Sequence, residues 1–424
     1  MNTEHNYFRW LVLAGAFAIL FLVQGSRSII GVAFKPIVAE FGWMRGSFSL
    51  VLSAHMAIFA LMLPVVGRCF DRYGAKGVII ISSLCLTLGY VGITATQSLW
   101  AFMVLYGLFA AIGFGGCSVT LFGAVTSKWF QRHRGMAVSL AMCGGPVGQF
   151  VMIPPATHVI HTYGWRWVFI ALALFVLVVS LGIATTLMKP APPHNADLPE
   201  GAGTAEKPAP DSSPLDDQKS KGDLSLVQAM GTPSFWFFTI LMAVCGGGDY
   251  LVITHLVPMV TDAGISAQTA GSMMAWFGLM GMAGLMITGP VSDRFGNKLP
   301  AVATFVLRAA IFTLILFHQS ATSFYVFALV FGFTMFITAP ITTTLLAKLY
   351  GLSNIGLISG FVTTIHHLGG GLWIWLGGAA FDRFGSYDII FGIYAGFAVI
   401  AFFCGILIKE KRHQVANLGC NDNS

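Results

Sequence analysis

The chain has 424 residues, of which 56% are hydrophobic and only 9% are charged, and its mean hydropathy is +0.78. Soluble domains carry about 25% charged residues, so this composition excludes a water-soluble globular protein and indicates a polytopic membrane protein. The net charge of +6 comes from cations that mostly lie between apolar segments, and membrane topology explains this placement better than nucleic-acid binding.

Twelve apolar runs follow one another along the chain. Runs of about 20 residues are long enough to cross a bilayer as α-helices. The runs lie at residues 11–34, 47–68, 77–96, 100–124, 135–159, 165–188, 233–260, 267–290, 299–317, 322–347, 354–380 and 387–408. The sequence therefore predicts an all-α polytopic membrane protein with twelve transmembrane helices.

A polar stretch at residues 189–231 separates the sixth run from the seventh, and it is rich in Pro, Asp, Lys and Ser. Such a composition buries too little apolar surface to fold, which predicts a disordered linker. Only its last part, residues 224–230, has the pattern of a short interfacial helix. The predicted organisation is an N-terminal six-helix bundle, a linker, a C-terminal six-helix bundle and a tail, at residues 1–188, 189–231, 232–408 and 409–424.

The cations outside the predicted spans are divided unequally between the two membrane faces. Four of them, Lys35, Arg45, Arg166 and Arg383, fall on one face, and the others fall on the opposite face. Because cytoplasmic loops carry the excess of Lys and Arg, the second face is predicted to be cytoplasmic. The expected location is the inner, cytoplasmic membrane, with both termini and the linker inside the cell.

The first span carries a cation, Arg27, eight residues before Lys35. At the α-helical rise this places Arg27 roughly 12 Å inside that end of the span. Inserting a cation there costs about 2.5–3.5 kcal/mol, so such a residue usually faces protein or water and has a partner. Gln24 and Ser28 share a polar stripe with Arg27, which predicts a substrate-binding face whose guanidinium pairs with a carboxylate. A purely structural ion pair is the alternative.

The two halves of the chain repeat one another. Eight residues recur 222 positions later: Gly25, Pro36, Gly42, Gly67, Asp71, Arg72, Gly74 and Lys76 correspond to Gly247, Pro258, Gly264, Gly289, Asp293, Arg294, Gly296 and Lys298. Such a repeat predicts two parallel six-helix halves with a substrate site between them near the membrane midplane.

Under the same spacing Arg27 corresponds to Asp249, the only acidic residue deep in any predicted span. We therefore expect Arg27 and Asp249 to face each other across the central cavity, with Tyr250 beside them. A substrate carboxylate that competes for Arg27 would release Asp249 to accept a proton, which predicts Asp249 as the proton-coupling residue.

The stretches at residues 67–76 and 289–298 resemble two copies of the loop signature of the major facilitator superfamily. The resemblance covers the chain except for the linker and the tails, and it implies the fold of two pseudo-symmetric six-helix bundles and transport by alternating access. It further implies that Asp71, Arg72, Asp293 and Arg294 form gating ion pairs that hold the outward-open state. The alternative is that these charges only set the topology.

Two further stretches, residues 129–137 and 25–35, look like the monocarboxylate and oxalate–formate porter group of that superfamily. The chain departs from the group in two ways. Ser28 stands where many of these porters have a lysine, and residues 280–286 lack the arginine typical of helix 8. The resemblance still implies a small organic anion as the substrate.

Arg308, His366 and His367 are three further polar residues within the spans. Arg308 is in the ninth span, which the resemblance places at the periphery, so we expect it to snorkel or to contact a neighbouring helix. His366 and His367 interrupt the eleventh span and are candidates for anion binding or proton relay. A hydrogen bond in helix packing is the alternative for the histidines, and without further ligands a metal site is not expected.

These features predict a secondary active transporter of small organic anions of the monocarboxylate type, with proton symport. The alternatives are a proton-coupled exporter of drugs or metabolites, an anion exchanger of the same fold, or a membrane receptor that transports nothing. The expected partners are the organic anion, protons and the lipid bilayer, with no nucleic acid, and the expected state is a monomer. The sequence shows no Walker loop or catalytic triad, so neither an enzyme nor a cofactor is expected.

Overall fold

The computed structural model describes residues 3–130, 134–188 and 223–410, which form helices and no strands. The first part contains α1 (Thr3–Arg27), α2 (Ile29–Phe41), α3 (Arg45–Ala95), α4 (Leu99–Phe102), a π-helical segment (Met103–Ala110), α5 (Ala111–Gly116), α6 (Val119–Trp129), α7 (Arg134–Met142), α8 (Gly144–Tyr163) and α9 (Trp165–Thr186). The second part contains α10 (Leu226–Met230), α11 (Pro233–Asp262), α12 (Ala267–Phe295), α13 (Lys298–Phe317), α14 (Ala321–Met335), α15 (Thr338–Tyr350), α16 (Ile355–Phe384) and α17 (Asp388–Leu407).

The predicted spans coincide with these helices. Ten helical segments of the described chain are long and apolar enough to cross a membrane. One of them, the 51-residue α3, contains two predicted spans, and the 30-residue α16 contains the eleventh. The predicted interfacial helix is α10, whose start is stabilised by a capping box between Ser225 and Gln228. Most of the predicted linker, residues 189–222, and the tail from residue 411 lie outside the described residues.

The sequence repeat reappears in the backbone. Glycines with positive φ end or break helices at equivalent places in the two halves, and they form the pairs Gly42 with Gly264, Gly74 with Gly296, and Gly164 with Gly385. At Gly74, with φ 75°, the long α3 changes direction, so its two spans run antiparallel. Only glycine adopts this conformation without strain, which explains why the repeat is clearest in glycines.

The helices before the linker, α1–α9, contact those after it, α10–α17, through closely packed glycines. At Gly31 of α2, a Cβ atom would collide with the carbonyl oxygen of Ile253 in α11. At Gly278 of α12 it would lie 2.9 Å from Cβ of Gln149 in α8. Small residues therefore let helices of the two halves approach each other closely, as is common in membrane proteins.

The halves are closed on the face that carries Lys35, which we call the Lys35 face. Asp262, at the end of α11, accepts hydrogen bonds from Nζ of Lys35 at 2.7 Å and from Nη1 of Arg45 at 2.5 Å. Asp382 of α16 accepts from the backbone N–H groups of Arg45 at 3.0 Å and Gly46 at 2.7 Å. A second-half carboxylate thereby caps the start of a first-half helix, where the helix dipole favours a negative charge.

The opposite face carries Asp71 and Asp293, and we call it the Asp71 face. Between the described residues, no hydrogen bond or ion pair joins the two halves there. Apart from the adjoining backbone of the same helix, no heavy atom of the described residues lies within 4 Å of where a Cβ would stand at Gly67 or Gly289. The halves are therefore closed at the Lys35 face and separated at the Asp71 face.

The Asp262 network gives a first testable prediction. Replacing Asp262 by asparagine leaves Lys35 and Arg45 without their shared carboxylate, while both side chains remain partly exposed. Ion pairs of this exposure contribute about 1 kcal/mol, so we expect the open arrangement at the Lys35 face to become about fivefold more populated. Spin labels at Met44→Cys and Ser266→Cys, in a cysteine-free background, measure the separation of the halves at this face.

Asp388→Asn is the matched control for this experiment. Asp388 lies on the same face, but it accepts a hydrogen bond from Gln319 of its own half, at 2.6 Å. The control is expected to leave the distance distribution unchanged. Equal distributions in Asp262→Asn and in the unmodified protein would contradict a closing role for the Asp262 network.

Candidate functional site

Arg27 lies at the end of α1, just before the break at Ser28 that separates α1 from α2. Its guanidinium donates a hydrogen bond to the Met56 sulfur at 2.8 Å. Its Cζ atom lies 4.4 Å from the ring centroid of Phe59, 5.1 Å from that of Tyr250 and 5.6 Å from that of Phe114. Within the described chain, no carboxylate lies within ion-pair distance of Arg27. A partly exposed cation is thus held by aromatic rings from both halves, without an anion.

The two residues predicted to share the stripe with Arg27 are placed differently. Gln24 is partly exposed and lies against Gly145 of α8. A Cβ atom added at Gly145 would lie 3.1 Å from the Cβ atom of Gln24. Ser28 is buried at the α1–α2 break, and its carbonyl oxygen accepts from the N–H of Gly31 at 3.2 Å. Gln24 therefore lies on the partly exposed face with Arg27, whereas Ser28 is enclosed by protein.

Asp249 of α11 is paired with Arg308 of α13. Its Oδ1 accepts from Nη2 of Arg308 at 2.6 Å, and the two side chains are 5% and 0% exposed. Arg308 also donates to Oγ1 of Thr334 at 3.2 Å, to the carbonyl oxygen of Cys245 at 3.2 Å and to the Tyr394 hydroxyl at 3.4 Å. This is a fully buried ion pair whose cation has several further acceptors.

The predicted pairing of Arg27 with Asp249 is therefore wrong, and so is the expectation that Arg308 could snorkel. The repeat places Arg27 and Asp249 at equivalent positions, but the long side chain of Arg308 in α13 reaches the carboxylate of Asp249 at 2.6 Å. The other expectation for Arg308, a contact between neighbouring helices, is confirmed. Each half thus contains one cation within its spans, and only the second-half cation has a carboxylate partner among the described residues.

His366 and His367 of α16 extend the Asp249–Arg308 pair towards Arg27. We call Cys245, Asp249, Arg308, His366 and His367 the Asp249 cluster. Nε2 of His366 lies 3.7 Å from Oδ2 of Asp249, and its Nδ1 lies 3.1 Å from the carbonyl oxygen of Met242. His367 contacts the hydroxyl of Tyr250 through Nδ1 at 3.1 Å. The ring of Tyr250 therefore connects both histidines to Arg27, since the same ring lies below the Arg27 guanidinium.

Three side chains of this cluster also satisfy the distances of a metal site. The ligand atoms of Cys245, Asp249 and His366 lie within 4.8 Å of one another. However, the guanidinium of Arg308 donates to Asp249 at 2.6 Å and lies 3.6 Å from the sulfur of Cys245. Arg308 supplies the positive charge that a metal ion would otherwise supply, so the residues do not fit a metal centre.

The four residues predicted to gate the transporter lie at the Asp71 face, and all of them are exposed or partly exposed. Arg72 packs over the ring of Tyr73 and Arg294 over the ring of Phe295, at 5.2 and 5.3 Å. In the described part of the chain, neither Asp71 nor Asp293 forms an ion pair. The predicted gating pairs are not formed where the halves are separated, and their role in another conformation stays a prediction.

A cavity of about 550 Å³ lies near the Lys35 face, between α2, α8, α11 and α12. Its lining is mostly apolar and includes Lys35, Arg45 and Thr157, but none of the predicted substrate-binding residues. It therefore lies beside the contact that closes the Lys35 face and is distinct from the surroundings of Arg27.

Sequence reasoning missed the residues that close the Lys35 face. The available signal was the small group of cations on that face, Lys35 and Arg45 among them. Asp262 and Asp382 lie at helix ends of the same predicted face in the other half. Opposite charges on one face of two repeated halves would have suggested ion pairs between the halves.

Comparisons with known proteins place this geometry in context. A family model described as Major Facilitator Superfamily matches residues 16–266 and 238–419. The uncharacterized MFS-type transporter YcxA of Bacillus subtilis is 23% identical, over 96% of this chain and 97% of that protein. Monocarboxylate transporter 2 of Homo sapiens is 24% identical, over 84% of this chain and 76% of that protein.

Among solved structures, a bacterial homologue of the human lysosomal transporter Spinster, in an inward-facing and unoccupied conformation, is similar in fold. The TM-score is 0.76 at 16% identity, and the match covers 95% of this chain and 98% of that one. The overall arrangement of helices therefore agrees with that of a solved transporter.

Proposed function

This chain belongs to the major facilitator superfamily and is a multi-pass membrane transporter, and we propose that it moves a small monocarboxylate across the cytoplasmic membrane together with a proton. The observation that carries the proposal is Arg27, a cation between the halves that has no carboxylate partner among the described residues. A guanidinium is suited to bind a carboxylate through two parallel hydrogen bonds. The substrate is therefore proposed to supply the missing anion.

The charges within the spans support one carboxylate per substrate. Asp249 neutralises Arg308, which leaves Arg27 as the uncompensated cation of the described spans. A monocarboxylate would balance it, whereas a dicarboxylate would bring a second charge without a partner. The rings of Phe59 and Phe114 beside Arg27 favour a carboxylate with an apolar remainder.

Alternating access accounts for the closed and open faces. We propose that the Asp71 face is cytoplasmic, with both termini inside, because it carries the excess of Lys and Arg. The arrangement described above would then be the inward-open state, and the Asp262 network would be replaced, in the outward-open state, by ion pairs among Asp71, Arg72, Asp293 and Arg294. Exchange between the two states would carry the anion past the midplane.

Proton symport is proposed to involve Asp249, but by another route than competition for Arg27. Asp249 is held by Arg308, so a substrate carboxylate at Arg27 does not displace it directly. The Asp249 cluster instead borders Arg27 through Tyr250, which allows charge at one place to influence the other.

The function is tested with purified protein in proteoliposomes and a panel of labelled acids: pyruvate, propanoate, benzoate and succinate. We expect uptake of at least one monocarboxylate, faster when the external side is more acidic, and little uptake of succinate. The matched control is propanamide, which has the size of propanoate without its charge. Absence of uptake and exchange for every acid would overturn the proposal, while exchange without any effect of the gradient would indicate an anion exchanger.

A further inference from the structure

The hydrogen bonds of His366 define which of its nitrogens is available to a proton. Nδ1 lies 3.1 Å from the carbonyl oxygen of Met242, and a carbonyl oxygen only accepts, so Nδ1 carries a hydrogen. In the neutral ring Nε2 is then the basic nitrogen. It lies 3.7 Å from Oδ2 of Asp249, the oxygen that Arg308 does not bind. The ring thus presents its basic nitrogen to a carboxylate.

The charged and titratable groups around His366 come from four helices. Asp249, Cys245 and Tyr250 belong to α11, Arg308 belongs to α13, Arg27 belongs to α1, and His367 is its neighbour on α16. Oδ1 of Asp249 accepts from Arg308 at 2.6 Å, while its Oδ2 lies 3.7 Å from Nε2 of His366. The carboxylate is therefore placed to stabilise a protonated imidazole while it stays paired with Arg308.

Access to water distinguishes His366 from Asp249 and Arg308. Its side chain is 13% exposed, while those of Asp249 and Arg308 are 5% and 0% exposed. Of these three side chains His366 has the largest exposed fraction, and His367 beside it is also partly exposed. A proton arriving from solvent meets His366 before it meets Asp249.

We propose that Nε2 of His366 is the proton-binding site of the transport cycle, with Asp249 as the fixed anion that stabilises the protonated ring. A proton from water on one side forms the Nε2–H bond, and that bond breaks when the proton is released to water on the other side, so no electrons are transferred. The proposal rests on the proposed anion transport and names the group that carries its proton. It assigns Arg308 a positioning role, through the orientation and charge of Asp249.

Tyr250 provides the connection to the substrate. Its ring lies 5.1 Å from the Arg27 guanidinium and 6.1 Å from the ring of His366. A protonated His366 and an uncompensated Arg27 would be two cations on one aromatic ring, which is unfavourable. A substrate carboxylate at Arg27 removes this repulsion, so anion binding and proton binding favour each other reciprocally.

The test uses full-length protein in proteoliposomes with labelled pyruvate, or labelled propanoate if pyruvate is not transported. The unmodified protein is expected to accumulate the anion about tenfold for each unit of pH gradient, as one proton per anion requires. His366→Gln is expected to lower this ratio to about one while exchange of internal for external anion continues, because the substrate site at Arg27 is intact. His318→Gln, the matched control, removes an exposed imidazole just beyond the end of α13, away from Asp249, and is expected to retain accumulation.

Proton uptake by the unmodified protein provides a second measurement that does not depend on the folding of a variant. Adding the same anion to purified protein in weakly buffered detergent is expected to remove about one proton from solution per anion bound. Full accumulation by His366→Gln, loss of exchange together with accumulation in that variant, or no proton uptake by the unmodified protein would each overturn the assignment. If anion transport does not depend on the pH gradient, the assignment of His366 is wrong and the proposed anion transport stands. If no anion is transported at all, both proposals are wrong.

Discussion

Arg27→Ala is expected to reduce uptake of the transported monocarboxylate to the background of empty liposomes. Removing one partner of a buried, hydrogen-bonded charge pair costs about 2–5 kcal/mol. That range corresponds to a loss of about 30-fold or more in apparent affinity for the anion. At a substrate concentration equal to the KM of the unmodified protein, uptake by the alanine variant should therefore be close to background.

Two further variants separate the charge of Arg27 from its shape. Arg27→Lys keeps a cation but has lost the planar fork that binds a carboxylate through two hydrogen bonds, so intermediate uptake with a raised KM is expected. Arg166→Ala is the control, since Arg166 pairs with Glu40 at the Lys35 face and does not contact the surroundings of Arg27. Exposed pairs of this kind contribute little, and uptake should stay within about twofold of the unmodified protein. Normal uptake by Arg27→Ala would rule out Arg27 as the anion site.

The fold was largely predictable from the sequence because a bilayer imposes simple requirements on a chain. Each span needs about 20 apolar residues, and each break between spans needs a residue that leaves the helix. The length of the apolar runs therefore located the twelve spans. The glycine repeat located equivalent loops, because the positive φ at Gly74 and Gly296 is strained for other residues.

The direction in which Asp249 points was not predictable in the same way. In a helix with one exposed face, polar residues reveal the rotation of the helix about its axis. From Val244 to Val260, every residue of α11 is buried, so the helix has no exposed face there and its sequence pattern does not identify its neighbours. The repeat gave the depth of Asp249 in the membrane, but only packing decides that it turns towards Arg308 and not towards Arg27.

The same reasoning explains which residues of the candidate site the sequence could indicate. Arg27 was identified because a cation deep in an apolar span is costly wherever it points. Tyr250 and His367 were included as neighbours in sequence or as polar residues within spans, and they meet at 3.1 Å in the structure. The aromatic rings of Phe59 and Phe114 carried no such signal, because aromatic residues are common throughout membrane helices.

Arg308→Met is expected to be the most destabilising of these substitutions, because it leaves Asp249 buried without a cation. Removing one partner of a buried ion pair costs about 3–5 kcal/mol. Arg308 is fully buried and also donates to Thr334 and to the backbone of Cys245, so these acceptors lose a partner as well. For the protein in detergent, a fall in Tm of roughly 5–10 °C is expected and is measured by thermal unfolding with a thiol-independent fluorescence readout.

The double variant Asp249→Asn with Arg308→Met tests whether the cost comes from the pair itself. With the carboxylate neutralised, the methionine no longer faces a buried charge, so the double variant should be more stable than Arg308→Met alone by about 1–3 kcal/mol. If the destabilisation of the double variant equals the sum of the two single effects, the two residues do not interact as proposed. If the double variant regains stability but does not accumulate the anion in response to a pH gradient, the ion pair is needed for more than folding. The reason is that His366 in this variant lacks the fixed anion that stabilises its proton.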